Sequence, residues 1–140
     1  MSTTTATLRG RIDPSLATLG LAVGDLLLVG AFVVLGEVSH FDAAFVLANP
    51  GYVLGTYLPF ALGWLVVAPL VGAYGRAARS TARSAAVYAA GSWFGAVVVG
   101  QALRATALFH GEFAATFFLV SLGVGLALLL PWRVAVSVVG

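Results

Sequence analysis

An all-α fold, an integral membrane four-helix bundle, is what this sequence predicts, and three observations predict it. Of its 140 residues, 61% are hydrophobic and only 9% charged, where a soluble domain is about 45–50% apolar and about 25% charged. Four apolar runs, Leu16–Gly36, Tyr52–Tyr74, Ser84–Leu103 and Phe113–Leu130, stand out along the chain, each near the roughly 20 residues that cross a bilayer. None of the four alternates apolar with polar residues, so helices rather than barrel strands are expected to satisfy the backbone. A mean hydropathy of +1.05 excludes a soluble monomer and a disordered chain. The absence of cysteine excludes a disulfide scaffold and a cysteine-ligated metal centre. Residues 1–140 read as one transmembrane domain, with a lipid bilayer as its first partner.

The elements follow in order. Met1–Ser15 is rich in Thr and Ser and lacks a small-residue cleavage site, so it is expected to be retained, with Asp13-Pro14-Ser15 opening the first helix. The connector from Glu37 to Gly51 holds polar residues and the turn signal Asn49-Pro50-Gly51. The second span carries Pro59 and Pro69, each of which frees the carbonyl four residues earlier, so two kinks are expected. Gly75 to Arg83 is small and arginine-rich, and Arg104 to Glu112 is short and holds His110.

Orientation comes from the arginines. Arg9, Arg11, Arg76, Arg79, Arg83 and Arg133 fall on one side of this topology and Arg104 alone on the other. By the positive-inside rule both termini are cytoplasmic and the protein sits in the cell membrane, N-in and C-in. Arginines so few and scattered make no nucleic-acid surface, and no nucleic-acid partner is expected.

The informative residues are those that break the apolar rule. Asp25 lies nine residues into the first span, roughly 14 Å from its start, and an acid at that depth costs about 2.5–3.5 kcal/mol unless it faces protein or water. It reads either as a proton- or cation-accepting carboxylate or as a structural acid bonded to a Trp N–H, a hydroxyl or a freed carbonyl. Trp93, Gly100, Gln101 and Arg104 share one face of the third span, and Glu37 at the same level is the natural ion-pair partner of Arg104, the alternative being an arginine that snorkels to headgroups. Asp25, Glu37, Gln101 and Arg104 are therefore the candidate ion or proton pathway. His40 and His110, with Glu37 and Glu112, lack metal-ligand spacing, and neither a metal nor a haem is expected. Gly20-x-x-x-Gly24 and Gly91-x-x-x-Gly95 are candidate helix-packing faces, inside the bundle or at a homo-oligomer seam.

Gly24-Asp25-Leu26, Gly36-Glu37-x-x-His40, Pro59-Phe60-x-x-Gly63-Trp64, Ala68-Pro69-Leu70 and Leu103-Arg104 together resemble a prokaryotic membrane-protein family, domain of unknown function 3054. The resemblance runs from about Gly20 to Pro131 and implies four spans and no particular activity. Arginine used to the exclusion of lysine looks haloarchaeal or actinobacterial.

Three functions are open on this reading. The first is small-ion or proton transport centred on Asp25. The second is a non-catalytic subunit or scaffold of a larger membrane complex, and the third a binder of an apolar ligand such as a quinone or carotenoid between Trp64, Trp93 and Phe117. An enzyme is the poorest fit, since no nucleophile elbow, phosphate loop or His-Glu-x-x-His motif is present.

Overall fold

The computed structural model describes residues 12–106, 108 and 115–139. Its helices are α1 (Leu16–His40), α2 (Ala43–Ala48), α3 (Pro50–Val71), α4 (Ala82–Arg104) and α5 (Ala115–Val139), with a 3₁₀ turn at Arg76–Arg79 between α3 and α4. Four of these, α1, α3, α4 and α5, are long and apolar enough to cross a membrane, the architecture of a multi-pass membrane protein. They form a ring in which α1 packs on α3, α3 on α4, α4 on α5 and α5 back on α1.

The helices begin and end for local reasons. Ser15 caps α1 by accepting from the Thr18 amide, Asp42 caps α2 by accepting from Phe45, and Thr81 caps α4 by accepting from Ser84, each meeting one of the orphan N–H groups of a first turn. Pro50 opens α3, where its missing N–H costs nothing. Gly72, at φ +94°, ends α3 in the left-handed conformation, and the Ala73 amide reaches back to the Ala68 carbonyl, the closure that favours glycine at this position. α3 runs unbroken through Pro59 and Pro69.

Several span boundaries differ from expectation, and α1 runs on past Gly36 to His40. Tyr74 lies outside α3, and α5 passes straight through Pro131 to Val139 instead of ending near Leu130. Pro131 is exposed, so its ring sits on the outer face, while the next two residues, Trp132 and Arg133, turn inward and bond to Asp25. Tertiary bonds outweigh the lost helical one. The expected start of the fourth span at Phe113, together with Arg9, Arg11, His110 and Glu112, lies outside the described residues.

Close packing uses glycines beyond those the motifs singled out. A Cβ on Gly63 would meet the Ala96 backbone oxygen at 2.5 Å, and one on Gly100 would meet Phe60 at 2.9 Å, so α3 and α4 approach nearly backbone to backbone. Gly95 packs on Val67, Gly125 takes the Trp93 indole and Gly24 takes the Trp132 indole. A Cβ on Gly20 or Gly91 would meet nothing within 4 Å among the described residues. Each motif therefore supplies one internal contact, and to a side chain rather than to a partner backbone, because its other glycine faces outward.

Candidate functional site

α1 buries Leu21, Asp25, Val29, Phe32, Val33 and Glu37 along one stripe, the three- and four-residue spacing of a helix face. Both acids thus point inward, separated by about 18 Å of helix at 1.5 Å per residue. What lies between them is apolar. Phe32 meets Phe60 edge-on at 5.2 Å and Trp93 edge-on at 5.4 Å, and Phe117 stacks on Phe32 at 6.3 Å. Trp93 donates to the Ser121 carbonyl (2.9 Å). One ring from each spanning helix builds this septum, and it divides the interior into two polar regions.

The first region is a closed knot around Asp25, which is fully buried. Its Oδ2 accepts from Tyr74 Oη (2.6 Å) and Arg133 Nη2 (2.7 Å), and its Oδ1 from Arg133 Nε (3.0 Å) and Trp132 Nε1 (3.1 Å). Arg133 is 1% exposed and also donates from Nη1 to the Ala73 carbonyl (2.7 Å), while Trp64 Nε1 donates to Tyr74 Oη (2.7 Å). The fork of a guanidinium on a carboxylate is the strongest common side-chain pairing. Arg133 is thus corrected from a topogenic surface arginine to the buried counter-ion of Asp25. Ser121, Gly125, Leu129 and Arg133 recur every four residues as the buried stripe of α5; that periodicity is the sequence signal that points to it. Trp64 fills the bundle with its N–H bonded, and Trp64 and Trp93 are packed against protein on every side, each 0% exposed.

The segment after α3 seals this end. Ala73, Tyr74 and Ala78 are buried, Ile12 pairs with Tyr74 as a short parallel bridge, and the Asp13 amide donates to the Tyr74 carbonyl (2.7 Å). Asp13 forms ion pairs with Arg76 (3.2 Å) and Arg79, and Arg79 also reaches Thr18 Oγ1 (3.1 Å). The hydrogen bond from Ser15, and then those from Arg76 and Arg79, hold the Asp13 carboxyl below the usual 3.8, against the opposing effect of burial. Sequence reasoning counted these arginines and overlooked the acid that gathers them.

The second region, beyond the septum, is open. A cavity of about 450 Å³ is lined by Phe32, Glu37, His40, Tyr52, Thr56, Arg104 and Phe117 among others, within the size range of small-molecule sites. Arg104 and Glu37 face this one space, yet no Arg104 nitrogen lies within 4.0 Å of a Glu37 oxygen. The expected ion pair is not formed: the guanidinium lies over the Phe117 ring, 4.4 Å from its centroid, a cation–π contact. Its Nε and Nη1 are buried without a hydrogen-bond partner among the described residues. One helical turn away on the same face, both amide atoms of Gln101 are also buried and unpartnered. Of the four candidate pathway residues, the structure brings Glu37 and Arg104 to one cavity, leaves Gln101 beside it and places Asp25 on the other side of the septum.

Residues 22–136 match the family described as protein of unknown function, DUF3054. The chain belongs to the DUF3054 family. That match takes in Asp25, Arg133, Glu37 and Arg104, so the knot and the cavity both lie within the family region of this DUF3054 chain. No curated protein and no solved structure matches it.

Proposed function

We propose that this protein binds a small amphipathic molecule bearing an anionic group in the Glu37–Arg104 cavity, and that Asp25 is a structural acid holding the opposite end of the bundle shut. One observation carries the reading: a guanidinium at the end of a membrane helix, partly buried, with two N–H donors unmet and an aromatic-walled cavity before it. An unsatisfied buried donor costs about 1–3 kcal/mol, more when charged, and a carboxylate or phosphate oxygen of a bound molecule would meet such a donor with a charge-assisted bond. Two observations weigh against proton or ion transport along Asp25, Glu37, Gln101 and Arg104. The Asp25 carboxylate already accepts four bonds, and the aromatic septum interrupts the track.

The reading is tested by thermal unfolding of the purified protein in a non-ionic detergent, with decyl phosphate and decanoate as probes. Binding at 100 times Kd should add about 2.7 kcal/mol of stability. R104Q should lose that gain while folding normally. Equal stabilisation of R104Q, or none of the parent, would refute the assignment.

Orientation belongs to the same proposal. Arg76, Arg79 and Arg83 lie at the end of the bundle that holds Asp13 and the end of α5, and Arg104 lies at the other; even without Arg133 this asymmetry supports cytoplasmic termini in the cell membrane. The outward-facing Gly20 and Gly91 offer room for a second copy, which disulfide trapping of Gly91→Cys would report.

A further inference from the structure

We infer that the occupant of the cavity is a membrane lipid with a zwitterionic head, an ammonium facing Glu37 and a phosphate facing Arg104, one of whose acyl chains leaves through the groove between α1 and α3. This rests on the binding reading above and narrows it to a ligand class and an entry route.

The head chemistry comes from two opposite charges that share one cavity and are not joined to each other. Glu37 is 7% exposed and Arg104 has two unmet donors, and a pair of charges held apart across a space of about 450 Å³ complements a molecule that carries its own separated pair. A purely anionic ligand would satisfy Arg104 and place its charge opposite the Glu37 carboxylate, which like-charge repulsion disfavours. His40, also on the wall, adds hydrogen-bonding capacity around such a head.

The route for the tail is a second, apolar hollow of about 390 Å³ along the outside of the same two helices, walled by Leu26, Leu27, Gly30, Leu54 and Tyr57. Val33 lines both spaces, so the groove and the cavity adjoin. Tyr57 donates to the Leu26 carbonyl (3.0 Å), which removes the one polar group that would otherwise face an acyl chain there. Leu27 and Leu54 are 69% and 53% exposed, so the groove opens sideways, as lateral entry from lipid requires. From Leu26 to Val33 the groove follows α1 for about 10 Å at 1.5 Å per residue. Since lipid tails are as apolar as the groove, the tail contributes little driving force, and the head decides which lipid is held.

Native mass spectrometry of the full chain in micelles doped with phosphatidylethanolamine, with phosphatidylglycerol, or with soluble phosphoethanolamine separates the possibilities. Phosphatidylethanolamine should be preferred over phosphatidylglycerol by about tenfold or more, the worth of one charge-assisted bond, and E37Q should abolish that preference. L27W and L54W, at exposed positions that leave the fold intact, should each weaken phosphatidylethanolamine binding several-fold and leave phosphoethanolamine binding unchanged. Equal binding of the two lipids, or a preference that survives E37Q, overturns the zwitterionic head. Tryptophan variants that bind lipid as the parent does overturn the groove. In either case decyl phosphate binding that still depends on Arg104 leaves the parent reading standing, whereas its loss removes both.

Discussion

Replacing Asp25 by asparagine should cost more stability than any other isosteric change in this protein. The carboxylate accepts from Tyr74, from Trp132 and twice from Arg133, all between 2.6 and 3.1 Å, with both charged partners at 1% exposure or less. Asparagine keeps one acceptor oxygen, turns an amide donor toward groups that are themselves donors, and leaves the buried Arg133 charge without its anionic partner. Breaking a buried pair from one side costs about 3–5 kcal/mol, which lowers the folding equilibrium constant by a factor of about 10² to 10⁴. R133M should cost less, because Tyr74 and Trp132 still donate to the acid it strands. The double variant D25L/R133M, with no charge left to desolvate, should recover much of the loss. Sodium dodecyl sulfate titration in mixed micelles, followed by tryptophan fluorescence, suits the case, since Trp64 and Trp132 both lie within the knot. A D25N cost below about 1 kcal/mol, or a double variant whose losses simply add, would refute the structural account of Asp25. In liposomes, a specific loss of cation flux from correctly folded D25N would restore the transport reading.

Other outcomes follow from the same geometry. Gly125→Ala places a methyl on the Trp93 indole, and this overpacking should cost about 1–3 kcal/mol in the same titration, whereas Gly91→Ala, with open space around it, should be neutral or slightly stabilising. Asp13 has its pKa lowered from 3.8 in the folded protein, so its clamp on Arg76 and Arg79 stabilises fully at pH above the unfolded value and is lost as pH falls through the folded one. Acid titration of the parent should therefore show a loss below about pH 4 that D13N lacks, and identical acid limbs for the two would dismiss the clamp. The chain has no cysteine, so single replacements report topology without background: Ser80→Cys should react with an impermeant maleimide only from the cytoplasmic side and Ala44→Cys only from the outer side, and the reverse pattern would invert the orientation.

Much of the architecture was legible because length and hydropathy are properties of a segment taken alone. The four spans, the opening of the first helix at Asp13-Pro14-Ser15 and the inward direction of Asp25 follow from residues within a turn or two of one another. The expense of an acid at that depth even foretold its contacts in kind, a Trp N–H and a hydroxyl. The identity of the donors did not follow, because Arg133 lies 108 residues from Asp25, and a count of arginines by loop has no means of seeing one that helix α5 carries back into the bundle. Likewise, Glu37 and Arg104 were matched by depth along their helices, and the pairing failed because rotation about α4 and the presence of Phe117 decide where a guanidinium rests.

By itself the sequence determined that this chain is a bundle of four membrane-length helices with a few costly polar residues, since the transfer energy of each residue into hydrocarbon is nearly independent of its neighbours. Only the tertiary structure decided which of those polar residues neutralise one another and which remain open to a ligand. That depends on the mutual rotation of helices, set by contacts such as Gly63 on Ala96 and Gly24 on Trp132, and packing of this kind is a relation among segments that no single one of them contains.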